Sequence, residues 1–355
     1  MTSGLIMNRM LIAMDARLYG GNSSGDSTYW TGLINALFAV QHEFDIHLFS
    51  NIAPPDATPE EVRQKWVTLS AINSRAWSFV VWPAAIREIG ANLAHTQYSL
   101  PYGLPGRKVT TVHDVSFCIE PKWFSPKDRF LLQKGVSSAV RRADAVITVS
   151  QTSKSEIERF YPVSKGKVRV AYNGANAGLL GGERENHGQP FLLSVATQWP
   201  RKNIQLAIDA VDLLPKDLPH RLVLTGKPGA NLRLHDRVQT TGYISESSLA
   251  DLYASAELYL CPSLHEGFGI PIVEAFAAGC PVLSSRGGAL PEVGGDACDY
   301  ADDFEPTTWA RKIGSLLRDS GKLAALREAG LARAHQFSWE KSAQRHLEIY
   351  REALR

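Results

Sequence analysis

Residues 261–293 read CPSLHEGFGIPIVEAFAAGCPVLSSRGGALPEV, and the fold is decided there. The apolar run Leu258–Cys261 predicts a strand that feeds a loop holding Glu266, Gly267 and Gly269. Pro271 stands where a first helical residue is favoured, because its ring presets φ and its missing N–H costs nothing there. The spacing predicts a helix to Ala278, ended by Gly279, with Pro281 opening the next strand. This layout aims the first-turn N–H groups of a helix at whatever lies over the loop, which favours an anion, most simply phosphate. Gly267 and Gly269 allow close backbone approach. Glu266 lies in the loop and Glu274 at the fourth helical position, so the two do not share a helical face. They suit different parts of one elongated ligand: a sugar near Glu266, a ribose near Glu274 and a diphosphate between.

Outward from this stretch, short apolar runs alternate with helix-length segments. In the first half the strand candidates are Met10–Ala13, Ile46–Phe49, Phe79–Val81, Leu93–His95, Val109–Val112, Ala145–Val149 and Val168–Val170. Helical patterns fall at Thr28–Val40, Pro59–Thr68, Pro126–Ala143 and Thr152–Tyr161. The second half repeats the scheme, with strands at Phe191–Val195, Arg221–Thr225, Val238–Thr240, Leu258–Cys261, Val282–Ser284 and Ala297–Tyr300. Such βαβ alternation predicts parallel sheets covered on both faces. Asn173–Gln189 has no periodicity and reads as a linker. Two doubly wound α/β domains follow, with the natural site in the cleft between them. Ser338 can cap a last helix, whose stripe of Ala343, Leu347, Tyr350 and Leu354 must be buried somewhere.

Composition narrows the classes. The chain has 355 residues, 44% apolar and 21% charged, an ordinary globular balance that excludes disordered and collagenous types. The net charge of +2 gives no sign of a nucleic-acid partner. Cys118, Cys261, Cys280 and Cys298 have no CxxC spacing and no His cluster, which argues against zinc and iron–sulfur sites. No run of 18 apolar residues is present. The start does not read as a signal peptide; residues 1–8 read as a frayed leader, and a cytoplasmic location is expected.

Glu266-x7-Glu274 within HEGFGIPIVEAFAAGCPV closely resembles the signature of the retaining glycosyltransferases of family 4, which have the GT-B fold. TVHDVSF at 111–117, RRADAVITVSQTSKSEI at 141–157, KVRVAYNGAN at 167–176, PRKN at 200–203 and TGYISESSLADLYASAELYLCPS at 241–263 also resemble family segments, in the family's order. The resemblance implies two Rossmann-like domains facing each other across a cleft. Residues 1–178 would form the acceptor domain, joined by a C-terminal helix, 338–355, that crosses back to it. Residues 179–337 would form the donor domain.

The resemblance also implies roles. Glu274 would bind the donor ribose and Glu266 the donor sugar. Main-chain groups at Gly267, Phe268, Gly269 and Ile270 would hold sugar or phosphate, Lys202 would pair with the diphosphate, and Tyr243 and Leu264 would touch the base. Many members carry Gly and Arg where Ala196 and Thr197 stand on the donor side, so Arg201 is the candidate for the second positive charge. His113 would lie beside the donor sugar. Asp114 reads equally as a turn or cap residue and as a catalytic one.

Gly25 and Asp26 belong to the glycine loop of the first domain, near the acceptor; the negative Asp26 suits a neutral hydroxyl acceptor better than a phosphorylated one. Tyr98 and Trp123 are among the aromatics that could stack on acceptor sugar or simply pack. The basic residues of Pro126–Ala143 read as a solvated face or as a contact with anionic lipid at the inner face of the cell membrane.

The expected activity is metal-independent, retaining transfer of a hexose from a nucleotide-diphosphate sugar to a hydroxyl of a glycan or lipid-linked saccharide, with no cofactor. HDVSF and PRKN look most like mannosyl- and rhamnosyltransferases of surface-polysaccharide assembly, which makes GDP-mannose the first donor to test. A nucleotide-sugar epimerase, a glycosyl phosphorylase and a non-catalytic nucleotide-sugar-binding subunit are the alternatives of the same architecture.

Overall fold

The strand-length apolar runs assemble into two parallel sheets. A computed structural model describes residues 9–21, 25–175, 188–195, 199–226, 229 and 231–355. The expected leader at 1–8, residues 176–187 of the linker, and Ala196 and Thr197 lie outside the described residues.

The first sheet comprises β1 (Leu11–Asp15), β2 (Asp45–Ser50), β3 (Trp66–Thr68), β4 (Leu93–Gln97), β5 (Arg107–Thr111), β6 (Ala145–Thr148) and β7 (Val168–Val170). Its order is β3-β2-β1-β4-β5-β6-β7, all parallel. The second comprises β8 (Phe191–Val195), β9 (Arg221–Thr225), β10 (Val238–Gly242), β11 (Leu258–Cys261), β12 (Val282–Ser284) and β13 (Cys298–Tyr300). Its order is β10-β9-β8-β11-β12-β13, again all parallel. The strand order reverses at β1/β4 and at β8/β11, where the carboxyl ends of such sheets open a crevice for ligands. Every residue of β6 and β11 is buried, as a sheet covered on both faces requires.

The helices of the first half are α1 (Gly25–Ala39), α2 (Glu60–Arg63), α3 (Ser74–Ala76), α4 (Trp82–Glu88), α5 (Ser116–Ile119), α6 (Pro126–Arg142) and α7 (Gln151–Phe160). Those of the second are α8 (Ile204–Asp212), α9 (Glu246–Ser255), α10 (Ile270–Ala277), α11 (Leu290–Gly294), α12 (Pro306–Leu317), α13 (Ser320–Ala334) and α14 (Trp339–Leu354). Local chemistry sets several starts. The hydroxyls of Ser125, Ser150, Ser245 and Ser338 each accept the main-chain N–H three residues on, at 2.9–3.1 Å.

Two expectations fail in the first half. Phe79–Val81 is not a strand. Asn73 caps a helix start through the N–H groups of Arg75 and Ala76, and Trp77–Val81 continues it as a π-helical turn that leaves Phe79 and Val80 exposed. The helix expected over Pro59–Thr68 stops at Arg63, and Trp66–Thr68 becomes the edge strand β3. Three-residue segments are too short to show a period, so packing decides them.

The final helix returns to the first domain. Trp339 lies against Gly32 and Gly174, where any Cβ would collide with it. Ala343, Leu347, Ile349 and Tyr350 share a core with Ile12, Leu33 and Ile46.

Candidate active site

The donor-side loop is built from the end of β11. Gly269 takes φ +102°, a conformation suited to glycine, and so turns the chain into α10. Ile270 is the first helical residue and Pro271 the second, so Glu274 is the fifth residue rather than the fourth. Gly287 and Gly288 lie flush on the 263–266 segment; a side chain on either would strike its main chain.

Glu266 is buried and fully partnered. Its Oε1 accepts from Lys202 Nζ at 2.6 Å and from Ser263 Oγ at 2.6 Å; its Oε2 accepts from Arg201 Nη1 at 2.7 Å. Burial works to raise its pKa, but Lys202 and Arg201 outweigh it and hold the carboxyl down at about 2. Arg201 also donates to the His265 carbonyl at 2.9 Å, and Leu264 N–H donates to the Arg201 carbonyl at 2.7 Å. Lys202, Ser263 and Glu266 line a small pocket together with Ser194, Gly269 and Pro271.

Glu274 stands apart from this cluster. It is buried beside Tyr253, whose hydroxyl donates to it at 3.2 Å. Burial pushes its pKa up to about 7, and the Tyr253 bond offsets only part of that. Tyr243 is exposed, just beyond the edge strand β10. The Phe268 side chain is part of the first domain's core, against Tyr172 and Phe337, so only its main chain is left for a ligand.

Across the cleft, His113 follows β5 at the sheet's carboxyl end and is buried. Its Nε2 donates to Gln97 Oε1 at 2.7 Å and lies 3.7 Å from Asp26 Oδ1. Burial lowers its pKa, against the pull of Asp26 and Asp114. The rings of Tyr29 and Tyr98 pack on it at 4.5 and 5.5 Å. Tyr98 holds a left-handed φ of 55°, rare for a residue with a side chain. Gly25 and Asp26 open α1. Asp114 accepts from Ser116 N at 2.9 Å and Ser116 Oγ at 2.6 Å, which is the turn reading of that residue.

The two sides meet at Gly267. A Cβ there would lie 2.9 Å from Asp114 Cβ and 2.9 Å from the His113 carbonyl. The Gly267 carbonyl accepts from Ser150 Oγ at 2.7 Å and Ser153 Oγ at 3.1 Å. Glu292 ties the domains further along: its carboxylate accepts Gln151 N–H, Thr152 N–H, Thr152 Oγ and Tyr172 OH at 2.7–2.9 Å. Trp123 reaches the second domain at His265, 6.3 Å between rings. Sequence reasoning missed Gln97, Ser263 and Glu292 as site residues. Ser263 and Glu292 both lie in the diagnostic stretch, Glu292 in the PEV that closes it, whereas Gln97 carried no signal.

A cluster of one carboxylate and two cations at the carboxyl end of one parallel sheet, facing a histidine at the end of another, defines a two-domain group-transfer site. Residues 23–178 match the family described as Glycosyltransferase Family 4, and residues 181–333 match Glycosyl transferases group 1. The chain therefore belongs to the family 4 glycosyltransferases of GT-B fold. It is 31% identical over 291 residues to the O-antigen chain mannosyltransferase B of Escherichia coli, covering 75% of this chain and 76% of that one. In fold it resembles a sucrose-phosphate synthase from Thermosynechococcus elongatus, with a TM-score of 0.80 at 22% identity over 97% and 99% of the two chains. Anabaena HepE, solved in complex with UDP-glucose, aligns with a TM-score of 0.73 at 18% identity over 96% and 99% of the two chains.

Proposed function

We propose that the protein transfers mannose from GDP-mannose, with retention, to a hydroxyl of a glycan or lipid-linked saccharide. The observation that carries this reading is the buried Glu266–Arg201–Lys202 cluster facing His113 across the Gly267 contact. Leaving-group charge develops on the diphosphate, and Arg201 and Lys202, with the amino end of α10, are the preorganised groups that would stabilise it. Mannose as the sugar is supported by the similarity to the O-antigen mannosyltransferase. Burial favours the neutral His113 imidazole, and with its Nε2–H given to Gln97 its Nδ1 is left to accept a hydrogen bond from a sugar hydroxyl without bringing charge.

The deciding experiment incubates the protein with GDP-mannose, UDP-glucose, ADP-glucose or dTDP-rhamnose and a mixed lipid-linked saccharide acceptor, with and without EDTA. Release of GDP with an α-linked mannosyl product by NMR, unchanged by EDTA, is expected. Turnover of another donor alone would overturn the choice of GDP-mannose. Inversion would overturn the stereochemistry, and loss in EDTA restored by magnesium would overturn metal independence.

The acceptor proposal extends to the membrane. On α6, Phe130 and Leu131 are exposed beside Lys127 and Lys134. Apolar side chains flanked by lysines suit an anionic bilayer surface. Among the described residues no helix is long and apolar enough to cross a membrane. Flotation with phosphatidylglycerol vesicles but not with phosphatidylcholine vesicles is expected, and should be lost in F130S/L131S; equal flotation of wild type and variant would sink the contact.

A further inference from the structure

Beneath His113 runs a buried chain of side chains that the proposed mechanism leaves unused. Tyr350 OH lies 2.7 Å from His95 Nδ1, and His95 Nε2 lies 2.9 Å from Thr111 Oγ1. Thr111 Oγ1 lies 2.8 Å from Tyr29 OH, and Tyr29 OH lies 2.7 Å from His346 Nε2. His346 Nδ1 lies 2.7 Å from the Ser342 carbonyl. Tyr29, His95, Thr111, His346 and Tyr350 are all fully buried.

Elementary chemistry fixes the direction of every bond. A carbonyl can only accept, so the proton of His346 is on Nδ1. Burial lowers the pKa of His346 to about 4 and that of His95 well below its usual value, so each ring carries one N–H. His346 Nε2 must then accept from Tyr29 OH. Tyr29 in turn accepts from Thr111, Thr111 accepts from His95 Nε2–H, and His95 Nδ1 accepts from Tyr350. The chain runs one way and ends on the main chain of α14. The Tyr29 hydroxyl is therefore held on both sides, and its ring stands edge-on to His113, at 86° between planes. His113 is gripped between that ring and Gln97.

We propose that His346, on the helix that returns from the second domain, is a positioning residue for the transfer reaction: through Tyr29 it holds the imidazole of His113 in place. An apolar side chain would pack in the same space, whereas a fully satisfied polar chain specifies one geometry. The proposal rests on the glycosyltransferase reading of His113.

The test uses the full chain. His346→Leu removes the acceptor for Tyr29 OH, and His346→Gln restores one through Oε1. His346→Leu should lower kcat about tenfold, the scale of a small misplacement of a reacting group, and leave the donor KM within about twofold. His346→Gln should recover most of that loss. In a His113→Ala background His346→Leu should cost nothing further. An equal loss in both backgrounds, no loss at all, or a glutamine variant as poor as leucine would each overturn the positioning role. Should His346→Leu not fold, Tyr29→Phe breaks the same bond in an unchanged shape, with the same expectations.

A wild-type protein that turns over no nucleotide sugar would defeat the functional reading alone. The positioning claim is then read from the His113 imidazole resonances, assigned with His113→Ala. They should move in His346→Leu and return in His346→Gln. Identical spectra in all three proteins would overturn it.

Discussion

Glu274 shows how one buried side chain couples protonation to stability. Its carboxyl is held at about 7 in the fold against an ordinary 4.5, chiefly by burial. Between those values the folded chain keeps a proton that the unfolded chain has released, so its contribution to stability falls as pH rises from 4.5 to 7. Above pH 7 the ionised, buried carboxylate costs roughly 3 kcal/mol. Glu274→Gln should therefore raise the melting temperature at pH 8 and leave it unchanged at pH 4, as scanning calorimetry would show; equal shifts at both would contradict this. If the ionised form receives the ribose hydroxyls, nucleotide affinity should rise about tenfold from pH 6 to pH 8 in the wild type and stay flat in the variant. A flat titration of the wild type would sink the ribose assignment.

At the scale of elements, the loop between β11 and α10 is a spacer whose thickness is set by glycine. Gly267→Ala puts a methyl 2.9 Å from the main chain that follows β5, where nothing flexible can move aside. The expected result is a loss of about 100-fold in kcat/KM with a smaller effect on melting, because displacement of about 1 Å at a reacting centre is that costly. Activity within threefold of wild type would show that the two walls do not need this spacing. The same elements show what the sequence can disclose. Strand β11, the loop that follows it and the stop at Gly279 were legible because proline, glycine and apolar runs act locally; the left-handed turn at Gly269 was not. Glu266, Arg201 and Lys202 were legible through the family resemblance. β3 and the π-helical turn at Trp77–Val81 were not, since segments of three to five residues fit either period. Gln97 lies 16 residues from His113, and Glu292 lies 141 from Gln151; such partners leave no local trace.

For the molecule as a whole, Glu292 is one of the main polar ties between the two domains. Its carboxylate takes the N–H groups of Gln151 and Thr152 at the start of α7, where the helix dipole favours a negative charge. Removing it strands those donors and the Tyr172 hydroxyl. Glu292→Ala should enlarge the radius of gyration in small-angle scattering and lower kcat by about tenfold or more, as His113 and Glu266 separate. The affinity for nucleotide should change little, because Lys202, Glu266 and Glu274 all stand on one domain. An unchanged radius and unchanged kcat would mean that the serine bonds to Gly267 suffice.

The return of α14 to α1 also has a consequence for how the chain is made. The two helices form one core, yet they stand about 300 residues apart, and ribosomes add roughly 5–20 residues per second. For roughly 15–60 s a nascent chain therefore carries α1 with its Leu33–Leu37 face and the Gly32 seat of Trp339 uncovered. During that interval the half-finished core is a natural client for a chaperone, and synthesis of the second domain sets the clock for completing the first.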